Sequence, residues 1–286
     1  MAALKLVCVI PFFNEERFIA KTLDSLLAQT RLPDKIVLVN DGSSDSSPNI
    51  VRDYESRYDG LIIIVNNEKS NSHLPGGKVV RAFKAGLDRL NHEFDVICKF
   101  DADLIFPEDY LELIVRKFES SHDLGIVGGI CTVEKDGLWI PETVSDKDHV
   151  RGALKAYKKS CFEAIGGLRE GMGWDTLDEL LAVYRDFKVI CLSELKVKHL
   201  KPTGAKYSQS SKYFKGMAFY RMGYGFLLTF IASAKLAKNE KSISRFLHHL
   251  IGHFKGVFGN MHKMVSRDEE KFIRAYRWRR IKRKLF

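Results

Sequence analysis

Two carboxylates one residue apart, Asp101 and Asp103, follow the apolar run "DVICKF" in the stretch "KFDADLIFPEDY". Like charges this close repel. A hard divalent cation relieves the repulsion: Mg2+ or Mn2+ prefers oxygen ligands, takes one or two from protein and fills its shell with phosphates. Hydroxyls of a bound ligand would serve as well, and a helix-capping aspartate ahead of "PEDYLELIVRKF" is the plainer reading. With nineteen Asp in 286 residues, a D-x-D arises about once by chance. A second copy does occur, Asp146-Lys147-Asp148, within the polar and irregular residues 134–150, and reads as a solvated loop. Context has to decide.

Other residues invite chemistry by type and position. Asp41 opens "DGSSDSS" after the run "KIVLVN" and suits an Asx-turn. Lys78 and Arg81 follow the Gly76-Gly77 turn and would reach phosphate or simply line a solvated helix face. Asp175 and Asp178, three apart in "GWDTLDELLAVYRDF", share a helix face. His199 in "KVKHLKPTG" follows an apolar run and is either structural or a ligand. His249 and His253 stand at i, i+4, but the glutamate of a zinc-protease H-E-x-x-H is missing.

The elements that must position these residues alternate in kind. Strand-like "LKLVCVIPFF", "KIVLVN", "LIIIVNN" and "DVICKF" are separated by helix-like "ERFIAKTLDSLLAQT", "PNIVRDYESRY" and "KVVRAFKAGLDRL". Continuous Val/Ile/Leu strands between helices predict an α/β fold: a mostly parallel central sheet with helices on both faces. Ligands then bind beyond the carboxyl ends of the strands, where Asn40-Asp41 and Asp101-Ala102-Asp103 fall. Further on the spacing predicts the strand "GIVGGICTV", helices over "GALKAYKKSCFEAIGG" and "GMGWDTLDELLAVYRDF", and the strand "KVICL". Three parts are expected: 1–122, 123–205 and a helical extension, 206–286.

Charge divides the chain unevenly. The net charge is +10 overall, yet residues 1–200 sum to −6 and residues 201–286 to +16. The basic character therefore describes the partners of the last third. There Ile243, Phe246, Leu247, Leu250, Ile251, Phe254, Val257, Phe258 and Met261 form an i, i+3, i+4, i+7 stripe, with Arg245, His248, His249, His253 and Lys255 opposite. The tail "RAYRWRRIKRKLF" mixes basic and aromatic residues. An anionic membrane surface suits residues 267–286 better than nucleic acid does, with packing on the main domain as the alternative. Five scattered cysteines without C-x-x-C predict buried, reduced thiols. The first residues read as a strand and not a leader, and the longest uncharged run is 13 residues, Met222–Ala234, short of the roughly 20 a spanning helix needs. The expected location is cytoplasmic, peripheral on the inner face of the cell membrane.

In order and spacing, "VCVIPFFNEERFIAKTLDSLLAQT", "KIVLVNDGSSDSS" and "KFDADLIFPEDYL" resemble the family 2 glycosyltransferases over roughly residues 4–200. The carrying elements are Pro11-Phe12-Phe13-Asn14-Glu15, Asp41-Gly42-Ser43-Ser44-Asp45 and the D-x-D. The resemblance implies the A-type nucleotide-diphospho-sugar transferase fold and a divalent cation, Mg2+ or Mn2+. It also implies a nucleotide pocket lined by Pro11, Asn14, Glu15 and Asp41, with Lys78 a further candidate. Asp41 would face the base, and a uracil-type imide N–H would give that carboxylate a directional donor, favouring a UDP-type sugar. Asp101 would reach ribose or sugar, and Asp103 the metal, with His199 beside it. Aligned through the end of the family's base-bearing helix, Asp175 takes the base position and Trp174 the place of the usual Glu. Asp186-Phe187 stands where Gly-Tyr is common. Asp178 remains the other candidate base.

The implied activity is inverting transfer of a sugar from a nucleotide diphosphate to an acceptor hydroxyl on a carbohydrate or lipid-linked acceptor, in cell-surface polysaccharide or glycolipid synthesis. Transfer to a polyprenyl phosphate is the alternative. From a different class comes a basic nucleic-acid-binding protein on a nucleotide-binding scaffold, opposed by the net −6 of the half that holds the cleft. A D-x-D phosphatase would want its motif at the first strand.

Overall fold

The computed structural model describes residues 3–67, 76–91, 93–142, 149–201 and 212–285. Four parallel strands, β1 (Leu6–Phe12), β2 (Lys35–Asn40), β3 (Ile62–Asn66) and β4 (Val96–Phe100), lie side by side in the order β3-β2-β1-β4. Their side chains alternate between two cores. Leu6, Cys8 and Ile10 join α1 (Ile19–Leu27), α2 (Ser47–Arg57) and α4 (Tyr110–Ser120), while Val7 and Val9 join α3 (Gly77–Leu87). Each face is covered by helices, so the strands are apolar throughout instead of half polar.

Beyond β4 the sheet becomes mixed. β8 (Leu154–Lys158) pairs antiparallel with β4, then come β6 (Leu124–Lys135), β9 (Lys188–His199) and the short β5 (Leu104–Ile105). Residues 134–150 are not all irregular, since β7 (Leu138–Pro141) forms a hairpin with the end of β6. The second D-x-D, Asp146 to Asp148, lies outside the described residues.

The helix expected over "GALKAYKKSCFEAIGG" is a correction. The segment is strand β8 followed by the short α5 (Lys159–Ala164). Lys155, Lys158 and Lys159 sit at i, i+3, i+4, which imitates the polar face of a helix. Lys155 is instead fully buried, its ammonium neutralised by Asp178 and Glu179. The helix expected near Trp174 forms as α6 (Trp174–Tyr184). All five cysteines are unbridged, and Cys8 faces Cys98 across the β1–β4 pairing.

Four helices follow among the described residues: α7 (Phe214–Arg221), α8 (Phe226–Asn239), α9 (Ile243–Phe258) and α10 (Arg267–Leu285). A side chain at Gly216 would overlap the His249 carbonyl, and one at Gly252 would overlap the Tyr213 carbonyl. Helices α7 and α9 therefore meet backbone to backbone, along the small residues of α9. That contact turns the face opposite to the apolar stripe inward. His249 is 3% exposed and Phe258 83%. The tail is ordered by packing: Ile273 of α10 is buried, and Phe272, Tyr276, Trp278 and Ile281 lie against the second core. Arg169 grips Glu269 at its start with two bonds, 2.8 and 2.7 Å, the bidentate geometry in which such pairs are strongest.

Candidate functional site

Parallel pairing brings the carboxyl ends of β1, β2 and β4 to one edge. Pro11 pairs with Val39, and Phe12 with Asn40, so the loops after β1 and β2 leave the sheet together. Polar groups lace them. Asn14 takes the left-handed φ of 54°, a conformation Asn tolerates. Its N–H donates to Ser43 Oγ (3.0 Å) and its Oδ1 accepts from the Ser44 N–H (2.8 Å). The Glu15 N–H donates to Ser47 Oγ at 2.8 Å, while the Glu15 carboxylate pairs with Lys201. Asp41 donates its N–H to the Phe12 carbonyl at 2.9 Å and accepts from Asn67 Nδ2 at 3.0 Å. Asn14 thus shapes the junction of the two loops through its neighbours, whereas Asp41 keeps a half-buried carboxylate beside it.

The D-x-D follows β4 and caps no helix: α4 begins at Tyr110 behind Asp109. β5, directly after it, pairs with the end of β9 so that Leu104 opposes His199. This register sets His199 Nε2 3.5 Å from Asp103 Oδ2, and its Nδ1 lies 3.2 Å from Glu142 Oε2. Arg151 pairs with Glu142 from the other side. Burial pushes the His199 imidazole down, but Asp103 and Glu142 outweigh it and lift it to about 9. Asp103 is buried, and its Oδ1 finds no hydrogen-bond partner among the described residues. An orphaned buried carboxylate oxygen beside an imidazole fits a divalent cation. Cys131 is near Glu142 and His199, with ligating atoms within 4.8 Å. Burial pushes its thiol up to about 12. Asp101, more exposed, is held by the buried Lys99.

The second carboxylate group sits on α6 and is tied to the first. The Asp101 N–H donates to the Ala153 carbonyl at 2.9 Å, and a side chain at Gly152 would run into Trp174 and Asp175. The Trp174 indole lies near two ammonium groups, Lys99 at 5.4 Å and Lys155 at 6.0 Å from the ring centre. The two aspartates on α6 differ in access. The Asp178 side chain is 2% exposed and takes hydrogen bonds from Lys155 and Tyr157. Asp175 is 34% exposed, with Oδ2 3.6 Å from His149 Nε2. His149 Nδ1 in turn meets Glu179 Oε2 at 3.0 Å.

Their charges follow from these neighbours. Burial pushes the Asp175 carboxyl up, but the His149 hydrogen bond and the Lys155 ammonium hold it down at about 2. Burial pushes Asp178 up to about 6 against the pull of Lys155. Burial likewise opposes the charge on His149, which Asp175 and Glu179 raise to about 9. At neutral pH the cleft therefore presents an ionised Asp175 against a protonated imidazole.

Lys78 stands apart from this cluster. It is exposed in the first turn of α3, while Arg81 and Lys84 of the same helix pair with Glu170 at 2.9 and 3.5 Å. His249 and His253 are also elsewhere, buried under α8, with His253 Nδ1 3.0 Å from Thr229 Oγ1. Sequence reasoning missed Lys99, Glu142, His149, Arg151, Lys155 and Glu179. Glu179 carried a signal, four residues after Asp175 and hence on its face of α6. His149 and Glu142 were hidden in the stretch set aside as a loop.

Comparison with known proteins gives these groups a setting. The model of the family described as glycosyl transferase family 2 matches residues 7–165. The glycosyltransferase GlyA of Streptococcus pneumoniae is 27% identical over 143 residues, 50% of this chain and 19% of that one. The chain thus spans about a fifth of that relative's length. Among solved structures, the mannosyltransferase PcManGT of Pyrobaculum calidifontis, in complex with GDP-Man and Mn2+, superimposes with a TM-score of 0.59 at 16% identity. The match covers 91% of this chain and 72% of that one. Residues 1–349 of S. aureus TarS, in complex with UDP-GlcNAc, give 0.58 at 15% identity, over 90% and 73%. These neighbours share the A-type glycosyltransferase fold.

Proposed function

The chain belongs to glycosyl transferase family 2, and from that premise we propose that it moves a sugar from a nucleotide-diphosphate donor to an acceptor hydroxyl with inversion. One observation carries the reading: Asp103 keeps an orphaned buried carboxylate oxygen, and the Asp101 N–H two residues before it is bonded to Ala153, next to the Gly152 that packs against Asp175. Residues 1–122 hold the donor. Pro11, Asn14 and Glu15 frame the pocket, Asp41 faces the base of a UDP-type nucleotide, and Asp101 takes sugar or ribose hydroxyls. Asp103 and His199 would hold Mg2+ or Mn2+, whose charge offsets that of the departing diphosphate. Residues 123–205 present the acceptor, a carbohydrate or lipid-linked hydroxyl, as in cell-surface polysaccharide or glycolipid synthesis.

Asp175 accepts the proton of the attacking hydroxyl, whose oxygen bonds to the anomeric carbon as the bond to the diphosphate breaks on the opposite face. His149, held by Glu179, orients the Asp175 carboxylate. Asp178 is spent on Lys155 and Tyr157, which favours Asp175 as the base. The alignment register that selects Asp175 has support at its other end: Asp186, where the family often has Gly, adopts the left-handed φ of 62°. A cleft walled by carboxylates opposes nucleic acid, since phosphates would meet them without compensation.

Calorimetry with UDP tests the donor side. The wild-type chain is expected to bind UDP in the presence of Mn2+ and at least about tenfold more weakly without it, one contact of about 1.4 kcal/mol. Asp103→Ala should remove that dependence while keeping the thermal midpoint. Equal affinity in the variant would sink the metal role of Asp103.

A further inference from the structure

The α8–α9 hairpin is built inside out, and the cause is its contact with α7. Close approach of α7 and α9 at Gly216 and Gly252 places His249 and His253 within the bundle. The apolar stripe of α9 is left outside. Helix α8 adds its own apolar residues to the same surface. Leu227 is 64% exposed, and Phe226 packs tilted against Phe254 with ring centres 5.5 Å apart while both stay exposed. Phe254 stacks on Phe258 at 6.0 Å. Rings that touch one another across two helices yet remain in contact with solvent form a continuous patch, not scattered residues.

We propose that this face inserts into the surface of an anionic phospholipid bilayer. Charge selects that occupant. From Lys212 to Ser266 the sequence holds nine Lys and Arg against one acidic residue, Glu240, which is already paired with Lys215 and Arg245. Lys235 and Lys238 are exposed on α8, Lys255 on α9 and Lys241 in the turn between them. An apolar stripe flanked by basic residues is the composition of a helix lying in a headgroup layer. A second copy of the chain would bring two basic rims together with no acidic surface to meet them. Geometry agrees, because the 16 residues of α9 extend about 24 Å, and none of the described helices is long and apolar enough to cross a membrane. The aromatic residues of α10 are committed to the core, so the tail adds charge alone, through Arg279, Lys282 and Arg283. The proposal is independent of the donor reading.

Flotation of the full chain with phosphatidylglycerol–phosphatidylcholine vesicles, without nucleotide sugar, tests it. Wild type is expected to float with these vesicles and at least tenfold less with phosphatidylcholine alone. The triple variant Leu227→Glu, Phe254→Glu, Phe258→Glu should bind at least tenfold more weakly while its thermal midpoint and UDP affinity stay unchanged. In Phe258→Trp, quenching by brominated acyl chains should exceed that of the three native tryptophans. Equal flotation of the triple variant overturns the proposal. So does a wild type that ignores the vesicles; if it then sediments as a dimer that the triple variant dissociates, the face belongs to a second copy.

Discussion

The sheet edge and the C-terminal helix pair treat polarity in opposite ways. At the sheet edge apolar residues fill both cores, and polar groups gather where the strands end. In the helix pair two histidines are inside and the phenylalanines are outside. The difference comes from what each element packs against. A helix on a sheet is held at a distance by large side chains, so its apolar stripe is the face that is covered. A helix crossing another at glycine comes close enough for backbone contact, and the van der Waals gain goes to the face with the smallest residues. Apolar periodicity therefore finds both kinds of helix and gives the covered face of only one.

The comparison can be broken most forcefully within the sheet. Lys155→Met should leave Asp178 and Glu179 without their buried cation and destabilise the chain by about 3–5 kcal/mol, read from urea unfolding. A smaller loss would mean that the carboxylates simply take up protons. Next comes Asp175→Asn, expected to lower turnover by at least about 10²-fold with donor affinity kept. Asp178→Asn should cost much less turnover. The reverse ranking would exchange their roles and shift the register of α6.

The helix pair supplies a test by sign. On an open helix Gly→Ala stabilises by about 1 kcal/mol. Gly252→Ala should instead destabilise by about 1–3 kcal/mol, because the new methyl meets the Tyr213 carbonyl. A raised thermal midpoint would show that α7 and α9 do not pack backbone to backbone. The smallest effect sharpens the sheet side through pH. The folded-state pKa of His149 is raised from 6.5 to about 9, so its stabilising contribution is complete below pH 6.5 and is lost as pH rises through 9. The stability difference between wild type and His149→Gln should therefore shrink between those values. Asp175, lowered to about 2, stays ionised throughout, so a change in that window belongs to His149. A difference constant with pH would remove His149 from the ion cluster.

Much was legible without coordinates. The unbroken apolar runs determined β1 to β4, and the motifs after β2 and β4 put Asp41, Asp101 and Asp103 at one sheet edge, because parallel strands share their carboxyl ends. Spacing also determined α6, on which the family resemblance had set Asp175 and Asp178, three residues apart, as candidate bases. What the sequence could not decide were the matters settled by contacts between distant segments. Lys155 looked like helix surface because its compensating carboxylates lie more than twenty residues away on α6. His149 and Glu142 looked like loop because their partners are on α6 and β9. The outward turn of Phe254 and Phe258 was set by a glycine on another helix. A residue's own stretch of chain fixes its local conformation, but burial and charge depend on which neighbours the fold brings within a few ångströms.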